Sequence, residues 1–287
     1  MLQHKNASTG AYENWLGWIT NGSTGQSVTF YAGSYGYSLT NGNYYRIAVA
    51  ARDNAGNTSE YAVLSAERQA LPAKVGFLYY LSTDVERSKI QTYLQTLYVY
   101  NSSGLTYSKL TQLPTTEEGL NEYNTLFVAS PSRPLNPTEL SWLSAFVSGF
   151  QKRMVLVGEN GFMATSNGYL NELANRIGVG TTFDTGTGSY DNATSDVFSC
   201  SATTSHYLCS GVTHIGDAGS LSLVLGSSCN VVAWLRNAQN GVLAVEEDTA
   251  DAGSRVLIQD CDVFNSDYMG QWDNWRFVYN LCTLYRR

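Results

Sequence analysis

The sequence has few charged residues and no concentration of positive charge. Only 14% of its 287 residues are Asp, Glu, Lys or Arg, and the formal net charge is -7. A soluble domain usually carries about a quarter charged residues, so the polarity here comes from Ser, Thr, Asn, Gly and 20 tyrosines. Binding to nucleic acid requires a basic surface that neutralises phosphates. We therefore expect no nucleic-acid partner.

Long apolar runs are also absent from the sequence. No stretch approaches the roughly 20 apolar residues of a membrane span, and Met1 is not followed by the basic and apolar segments of a signal peptide. The weakly charged, hydroxyl-rich composition is typical of secreted and surface proteins. The sequence thus predicts an extracellular or cell-surface protein without a membrane span, whose export signal lies outside this chain.

The cysteines do not have the spacing of a metal site. None of the five forms a Cys-x-x-Cys pair, so a structural zinc site has no sequence support, and no cofactor is predicted. Cys200 and Cys209 bracket the segment SATTSHYL and are a candidate local disulfide. The alternative is that the cysteines are buried free thiols that act as small apolar residues.

Asn-x-Ser/Thr acceptors for N-glycosylation are frequent. They occur at Asn6, Asn21, Asn57, Asn101 and Asn192. These positions are candidate glycosylation sites, and they matter only if a glycosylating cell exports the protein.

Residues 1–71 have the alternating pattern of β-strands. The alternation appears in QSVTFYA and in YYRIAVAARD, with Gly-, Asn- and Ser-rich turns between the runs. The segment YYRIAVAARDNAGNTSEY resembles the last two strands of a fibronectin type III or related immunoglobulin-like module. The resemblance implies a partial sandwich that lacks its first strands and exposes strand edges. Either the chain begins inside a domain of a longer protein, or another chain donates the missing strands.

Residues 72–287 have the alternating strands and helices of an α/β domain. Two apolar runs, Leu126–Ala129 and Met154–Val157, are each followed by a turn and a segment of helical length, which is typical of buried parallel strands. Pro137 suits the first turn of a helix, with Asn136 or Thr138 as its cap. We predict a doubly wound, flavodoxin-like α/β domain preceded by a small, incomplete all-β immunoglobulin-like sandwich.

The α/β region resembles the class I glutamine amidotransferase-like superfamily, in particular its non-catalytic members. The segments that carry this resemblance are NTLFVASPSRPLNPTELSWLSAFVSGFQKRMVLVGENGF, HYLCSGVTHI and GVLAVEEDTADAGSRVLIQDCDVFNS. In catalytic members the strand that matches RMVLVG ends in a Gly-x-Cys-x-Gly turn. Here the turn is Gly158-Glu159-Asn160-Gly161, and without the cysteine the thioester chemistry of that family is excluded.

Carboxylates at strand ends are the candidates for other chemistry. Glu159 and Asn160 are candidate catalytic residues only if a second carboxylate lies within about 5–10 Å. The candidates for it are Glu246, Glu247, Asp260 and Asp262, which lie at the ends of predicted strands and are expected to converge on the same edge of the sheet. The alternative is that Glu159 and Asn160 bond turn amides and cap the next helix.

A second oxygen-rich segment follows the last predicted strand. Asp260, Asp262, Asn265 and Asp267 have the spacing of a loose calcium loop, without the glycine and terminal glutamate of an EF-hand. The alternative is that they are solvated carboxylates of a turn, and no metal is assigned.

The patterns favour a structural function over an enzymatic one. We expect a non-catalytic extracellular module of a surface or filament-forming protein that self-associates or binds other surface proteins, glycans or the cell envelope. One alternative is a polysaccharide-acting hydrolase that uses Glu159. Another is a passive ligand-binding domain that uses the same strand ends.

Overall fold

The structure is a computed structural model that describes most of the second part of the chain and short segments of the first. The described residues are 2–6, 9, 11–14, 44–49, 59, 62–63, 68–69, 73–100, 104–149, 152–159, 163–186, 196–200, 206–217, 221–235, 241–248, 253–265, 268 and 272–283. The chain divides into two compact units, Met1–Pro72 and Ala73–Arg287.

The described strands of the first unit form one antiparallel sheet. They are β1 (Leu2–Lys5), β2 (Tyr12–Asn14), β3 (Tyr44–Val49), β4 (Ala62–Val63) and β5 (Arg68–Gln69). The order is β2-β1-β3-β4, and β5 also pairs with β3. An immunoglobulin-like sandwich needs two facing sheets, so the prediction of such a sandwich is wrong for the strands seen here. Alternation identifies a strand but does not show whether a second sheet covers it.

The second unit begins with alternating strands and helices. In chain order these are β6 (Ala73–Phe77), α1 (Asp84–Tyr100), β7 (Leu105–Lys109), α2 (Glu118–Asn121), β8 (Thr125–Ala129), α3 (Pro137–Val147), β9 (Arg153–Val157) and α4 (Ala164–Arg176).

Shorter strands and 3-10 turns follow in the rest of the unit. They are β10 (Asp196–Cys200), a 3-10 helix (Tyr207–Cys209), β11 (His214–Asp217), β12 (Cys229–Trp234), β13 (Val242–Asp248), β14 (Ser254–Ile258), a second 3-10 helix (Cys261–Phe264) and α5 (Asn274–Thr283).

All these strands join one mixed sheet. Its order among the described strands is β11-β10-β12-β13-β14-β9-β8-β6-β7. The strands from β14 to β7 run parallel, whereas β13, β12, β10 and β11 join by antiparallel pairs. The predicted doubly wound, flavodoxin-like fold is therefore wrong, because β14 is reached through antiparallel strands and not through a crossover helix. A continuous apolar run looks the same in buried parallel and buried antiparallel strands, so the pattern did not reveal strand direction.

Helices cover both faces of the sheet and create two apolar cores. Ile90 of α1 and Phe277 of α5 belong to the core on one face. Leu143 of α3 and Leu173 of α4 belong to the core on the other. Strands β8, β9 and β14 are buried along their whole length. They run parallel, so the residues that follow them lie together at the carboxyl edge of the sheet.

Candidate carboxylate site

Three strands place acidic residues at the same edge of the sheet. Strand β9 ends before Gly158 and Glu159, and β14, which runs parallel to β9, ends before Gln259 and Asp260. Strand β11 ends with Asp217 and packs against the 3-10 helix that follows Asp260. The carboxyl ends of parallel strands are the usual ligand edge of an α/β sheet, so these residues form the candidate site.

The main chain of Glu159 is fixed by two buried amides. Its N–H donates to Asn167 Oδ1 at 3.0 Å, and its carbonyl accepts from Asn167 Nδ2 at 2.8 Å and from Gln259 Nε2 at 2.9 Å. The Glu159 side chain is only 4% exposed. The residue before α4 is Met163, which makes no capping hydrogen bond through its side chain. Glu159 is therefore not the N-cap residue of α4, and its main chain bonds to the side chains of Asn167 and Gln259.

Three aspartates converge beside Glu159. Asp217, Asp260 and Asp262 each offer a carboxylate oxygen, and these oxygens lie within 4.8 Å of one another. Asp260 Oδ1 accepts the backbone N–H of Asp262 at 2.8 Å. Lys89 of α1 donates to Asp262 Oδ1 at 2.6 Å, which places one ammonium group at the rim of the cluster.

The environment of Asp260 opposes its ionisation. Burial raises the pKa of the Asp260 carboxyl, and the negative charges of Asp217, Glu159 and Asp262 raise it further, to well above its usual range. The single backbone hydrogen bond from Asp262 acts in the opposite direction but is outweighed. These surroundings favour the protonated form of the Asp260 carboxyl over its anion.

Ser130 and Cys261 lie at the same edge. Ser130 follows β8 and has a positive φ of 35°, a backbone conformation that non-glycine residues rarely adopt. Its Oγ donates to the Gly158 carbonyl at 3.5 Å and lies 3.5 Å from Cys261 Sγ. Both side chains are buried, so a nucleophilic role would require the edge to open.

The carboxylates of β13 lie elsewhere, although the sequence suggested that they converge on Glu159. Glu246 pairs with Val256, and Glu247 pairs with Arg255, near the beginning of β14. Glu246 contacts Arg153 at the beginning of β9, with its Oε1 at 3.9 Å from Nη2. These glutamates therefore lie toward the opposite edge of the sheet.

The other predicted site residues have diverse positions. Asn265 follows the second 3-10 helix, where its backbone N–H donates to the Asp262 carbonyl at 2.9 Å. Asn160 and Asp267 lie outside the described residues. The same holds for the acceptors Asn21, Asn57, Asn101 and Asn192. Asn6 is described, and its Oδ1 accepts the backbone N–H of Thr9 at 3.2 Å. Glycosylation at these positions stays a prediction.

Cys209 has a free thiol that lies 3.4 Å from the Val232 carbonyl and donates to it. The structure therefore does not contain the predicted bridge to Cys200, whose side chain lies outside the described residues. Cys229 also has a free thiol, which lies 3.3 Å from the Gly226 carbonyl, and the side chains of Cys261 and Cys282 are fully buried.

Sequence reasoning found Glu159, Asp260 and Asp262 but missed two residues of the site. Asp217 and Lys89 are distant in sequence from the acidic segment, and neither belongs to a motif. They reach the site through the pairing of β11 and the packing of α1 against the second 3-10 helix. A single sequence carries no signal for such long-range contacts.

Comparisons with known proteins identify similar folds and no family. No protein-family model and no curated protein matches the chain. The N-terminal domain of mmIFT52 is 13% identical, has a TM-score of 0.55, and aligns over 74% of this chain and 98% of its own. The cytoplasmic proteins STM3548 and STM1381, from Salmonella typhimurium and its strain LT2, are both 13% identical. They have TM-scores of 0.51 and 0.52, and each alignment covers 85% of this chain and 97% of the other.

These neighbours correct the resemblances drawn from the sequence. They are neither glutamine amidotransferases nor fibronectin type III modules by description, and the mixed sheet differs from the predicted flavodoxin-like core. Both family resemblances are therefore wrong. At this level of identity the likeness concerns the fold alone.

Within the described residues, no helix has the length and apolar character needed to cross a membrane.

Proposed function

We propose that the protein is a non-catalytic structural or adhesive module of an extracellular or cell-surface protein. In this role it binds copies of itself, other surface proteins or glycans and does not transform them. The weakly charged, tyrosine-rich composition supports this proposal, because it favours binding through uncharged side chains.

The observation that carries the proposal is the burial of the groups that chemistry would need. Glu159 follows β9 at the carboxyl edge of the sheet, and the residue is 4% exposed. Asp260 is fully buried behind it. A general acid or nucleophile has to reach its substrate within hydrogen-bond distance, and neither carboxyl is presented to solvent.

Exposed apolar side chains elsewhere on the second unit support a binding function. Val99 at the end of α1 is 64% exposed, and Val224 and Leu225 form an exposed pair before β12. These side chains are accessible for contact with another molecule.

The assembly state of protein purified from its native cells tests the proposal. We expect ordered polymers in electron micrographs, and an intact mass in excess of the sequence mass if the Asn-x-Ser/Thr acceptors carry glycans. A monodisperse, unmodified monomer that binds neither glycans nor itself would exclude the structural and adhesive function.

A polysaccharide hydrolase is the second candidate, because one observation favours it. Burial and the charges of neighbouring carboxylates, Glu159 among them, raise the pKa of the Asp260 carboxyl. A carboxyl with a raised pKa beside a second carboxylate is the arrangement that glycoside hydrolysis uses. Release of reducing sugar from soluble polysaccharides is the test, with Glu159→Gln as the variant. Glu122→Gln is its matched control, since Glu122 is 54% exposed and pairs with Lys74 at the start of β6. Under the structural proposal none of the three proteins releases sugar. Activity that is lost only in Glu159→Gln would establish the hydrolase instead.

A further inference from the structure

The aspartate cluster has the composition of a site for a hard cation. Asp217, Asp260 and Asp262 offer carboxylate oxygens within 4.8 Å of one another, and the cluster contains neither a His nor a Cys ligand. Oxygen-only sites suit Ca²⁺ and Mg²⁺, whereas zinc and copper sites in proteins use imidazole or thiolate. Two oxygens on opposite sides of a Ca²⁺ ion are separated by roughly twice the Ca–O distance of about 2.4 Å. The spacing of the cluster therefore accommodates one ion.

Asp260 supplies the second observation. It is fully buried, its Oδ1 accepts the N–H of Asp262, and its Oδ2 accepts no hydrogen bond within the described part of the chain. Buried carboxyl groups are normally paired, hydrogen-bonded or bound to a metal. An oxygen without a donor, in a cluster of further carboxylates, is an unused ligand.

We propose that Asp217, Asp260 and Asp262 bind one hard divalent cation, Ca²⁺ or Mg²⁺, at the carboxyl edge of the sheet. The ion joins the end of β11 to the segment that follows β14, two parts of the chain that are distant in sequence. Asp217 and Asp260 are the inner ligands, since both are fully buried. Asp262 lies at the rim, where its side chain is 18% exposed and gives the ion access.

The contact between Lys89 and Asp262 predicts whether a substitution raises or lowers the affinity for the cation. The Lys89 ammonium lies 2.6 Å from Asp262 Oδ1, so an arriving cation competes with it for the same carboxylate. Replacement by glutamine removes that positive charge and keeps a similar chain length. Lys89→Gln should therefore bind the cation more tightly than the wild type. If the cluster served only to hold Lys89, the same substitution would lower stability and the cation would restore none of it.

The test uses the full chain after treatment with a chelator. Ca²⁺ and Mg²⁺ are titrated separately by calorimetry, and the melting temperature is followed at each ion concentration. We expect one equivalent of one ion to bind and to raise the melting temperature, as any ligand of the folded state does. Asp260→Asn should weaken binding by at least about tenfold, because it removes a ligand charge. Glu122→Gln, at the other edge of the sheet, should bind as the wild type does.

A spectroscopic measurement keeps the test independent of the stability of the variants. The indole of Trp272 packs directly against Gly216, the residue before Asp217. Tb³⁺ bound at the cluster should therefore emit when tryptophan is excited, and Ca²⁺ or Mg²⁺ should displace it from the wild type. The proposal is overturned if the wild type shows no saturable binding of either ion at millimolar concentration. It is overturned equally if Asp260→Asn and Glu122→Gln bind alike.

Discussion

At the scale of single residues, Arg153 has the largest fully buried side chain among the described residues. It is fully buried at the beginning of β9, where its guanidinium donates to the hydroxyl of Tyr207 at 2.6 Å and to the carbonyl of Leu281 at the end of α5. Tyr207 and Ser254 both donate to Glu246 Oε1. The guanidinium thus interacts favourably both with a carbonyl near the C-terminus of α5 and with the buried carboxylate of Glu246.

Glu246 remains ionised within this network. Burial by itself would raise the pKa of Glu246, but the hydrogen bonds from His206, Ser254 and Tyr207 and the charge of Arg153 lower it below its usual value. At the other edge of the sheet the pKa of Asp260 is raised instead, by burial first and then by the charges of its acidic neighbours. The two carboxyls show that the charge of the neighbours, and not burial alone, decides the protonation state.

Replacement of Arg153 by methionine tests the strength of this network. Arg153→Met keeps an apolar stem of similar length but leaves Glu246 without its buried cation. We expect the free energy of unfolding to fall by about 3–5 kcal/mol, the usual cost when one partner of a buried ion pair is removed. Chemical denaturation at pH 7 measures it. Arg176→Met, at an exposed position at the end of α4, is the control and should change stability by less than about 0.5 kcal/mol. Equal effects of the two substitutions would show that the buried network does not stabilise the fold.

The residue scale also shows how far the sequence predicted the site. Glu159 and Asp260 were found because each follows an apolar run that is long enough to be a buried strand. Arg153 begins such a run, yet nothing in the sequence distinguishes it from an exposed strand-end arginine. Its partner Glu246 is 93 positions away along the chain, and only the folded sheet brings them together.

At the scale of elements, local signals predicted α3 correctly. Pro137 opens the helix, Asn136 Oδ1 accepts the N–H of Glu139 at 2.9 Å, and the Glu139 side chain accepts the N–H of Asn136 at 2.8 Å. This reciprocal capping box is encoded within four residues, so the sequence is sufficient to predict it. The direction of β10 to β13 depends on contacts between distant strands and was not predictable in the same way.

Two glycines provide a matched test of element packing. Gly253 precedes β14, and a Cβ there would meet the Lys152 carbonyl and lie 2.8 Å from the Val147 carbonyl. Backbone atoms cannot yield as a flexible side chain does, so we expect Gly253→Ala to lower the free energy of unfolding by about 1–3 kcal/mol. Gly168 lies inside α4, where an added Cβ meets nothing within 4 Å. Gly168→Ala should stabilise the protein by up to about 1 kcal/mol, because alanine favours the helix. Thermal and denaturant unfolding of both variants measure the difference. If the two substitutions changed the free energy of unfolding in the same direction, the packing described at Gly253 would be contradicted.

At the scale of the whole molecule, each unit has its own sheet. Strands β1 to β5 pair with one another, and β6 to β14 pair with one another. The sequence pattern changes from alternating strands in residues 1–71 to alternating strands and helices in residues 72–287. The nature of each sheet was not predictable, since alternation and apolar runs specify a strand and its burial but not its partners.

The second unit should fold without the first. Both apolar cores are built from residues between Val75 and Cys282, and a domain with its own core can fold alone. We expect residues 73–287 to unfold in a single cooperative transition, followed by tryptophan fluorescence in denaturant. A truncation to residues 105–287 is the control. It removes β6, which lies between β7 and β8 in the sheet, and α1, which contributes Ile90 and Leu94 to one core. With that face of β8 uncovered and an interior strand missing, the shorter chain should show no cooperative transition. If residues 73–287 also lack one, the first unit is required for folding, and the two sheets are not independent in stability.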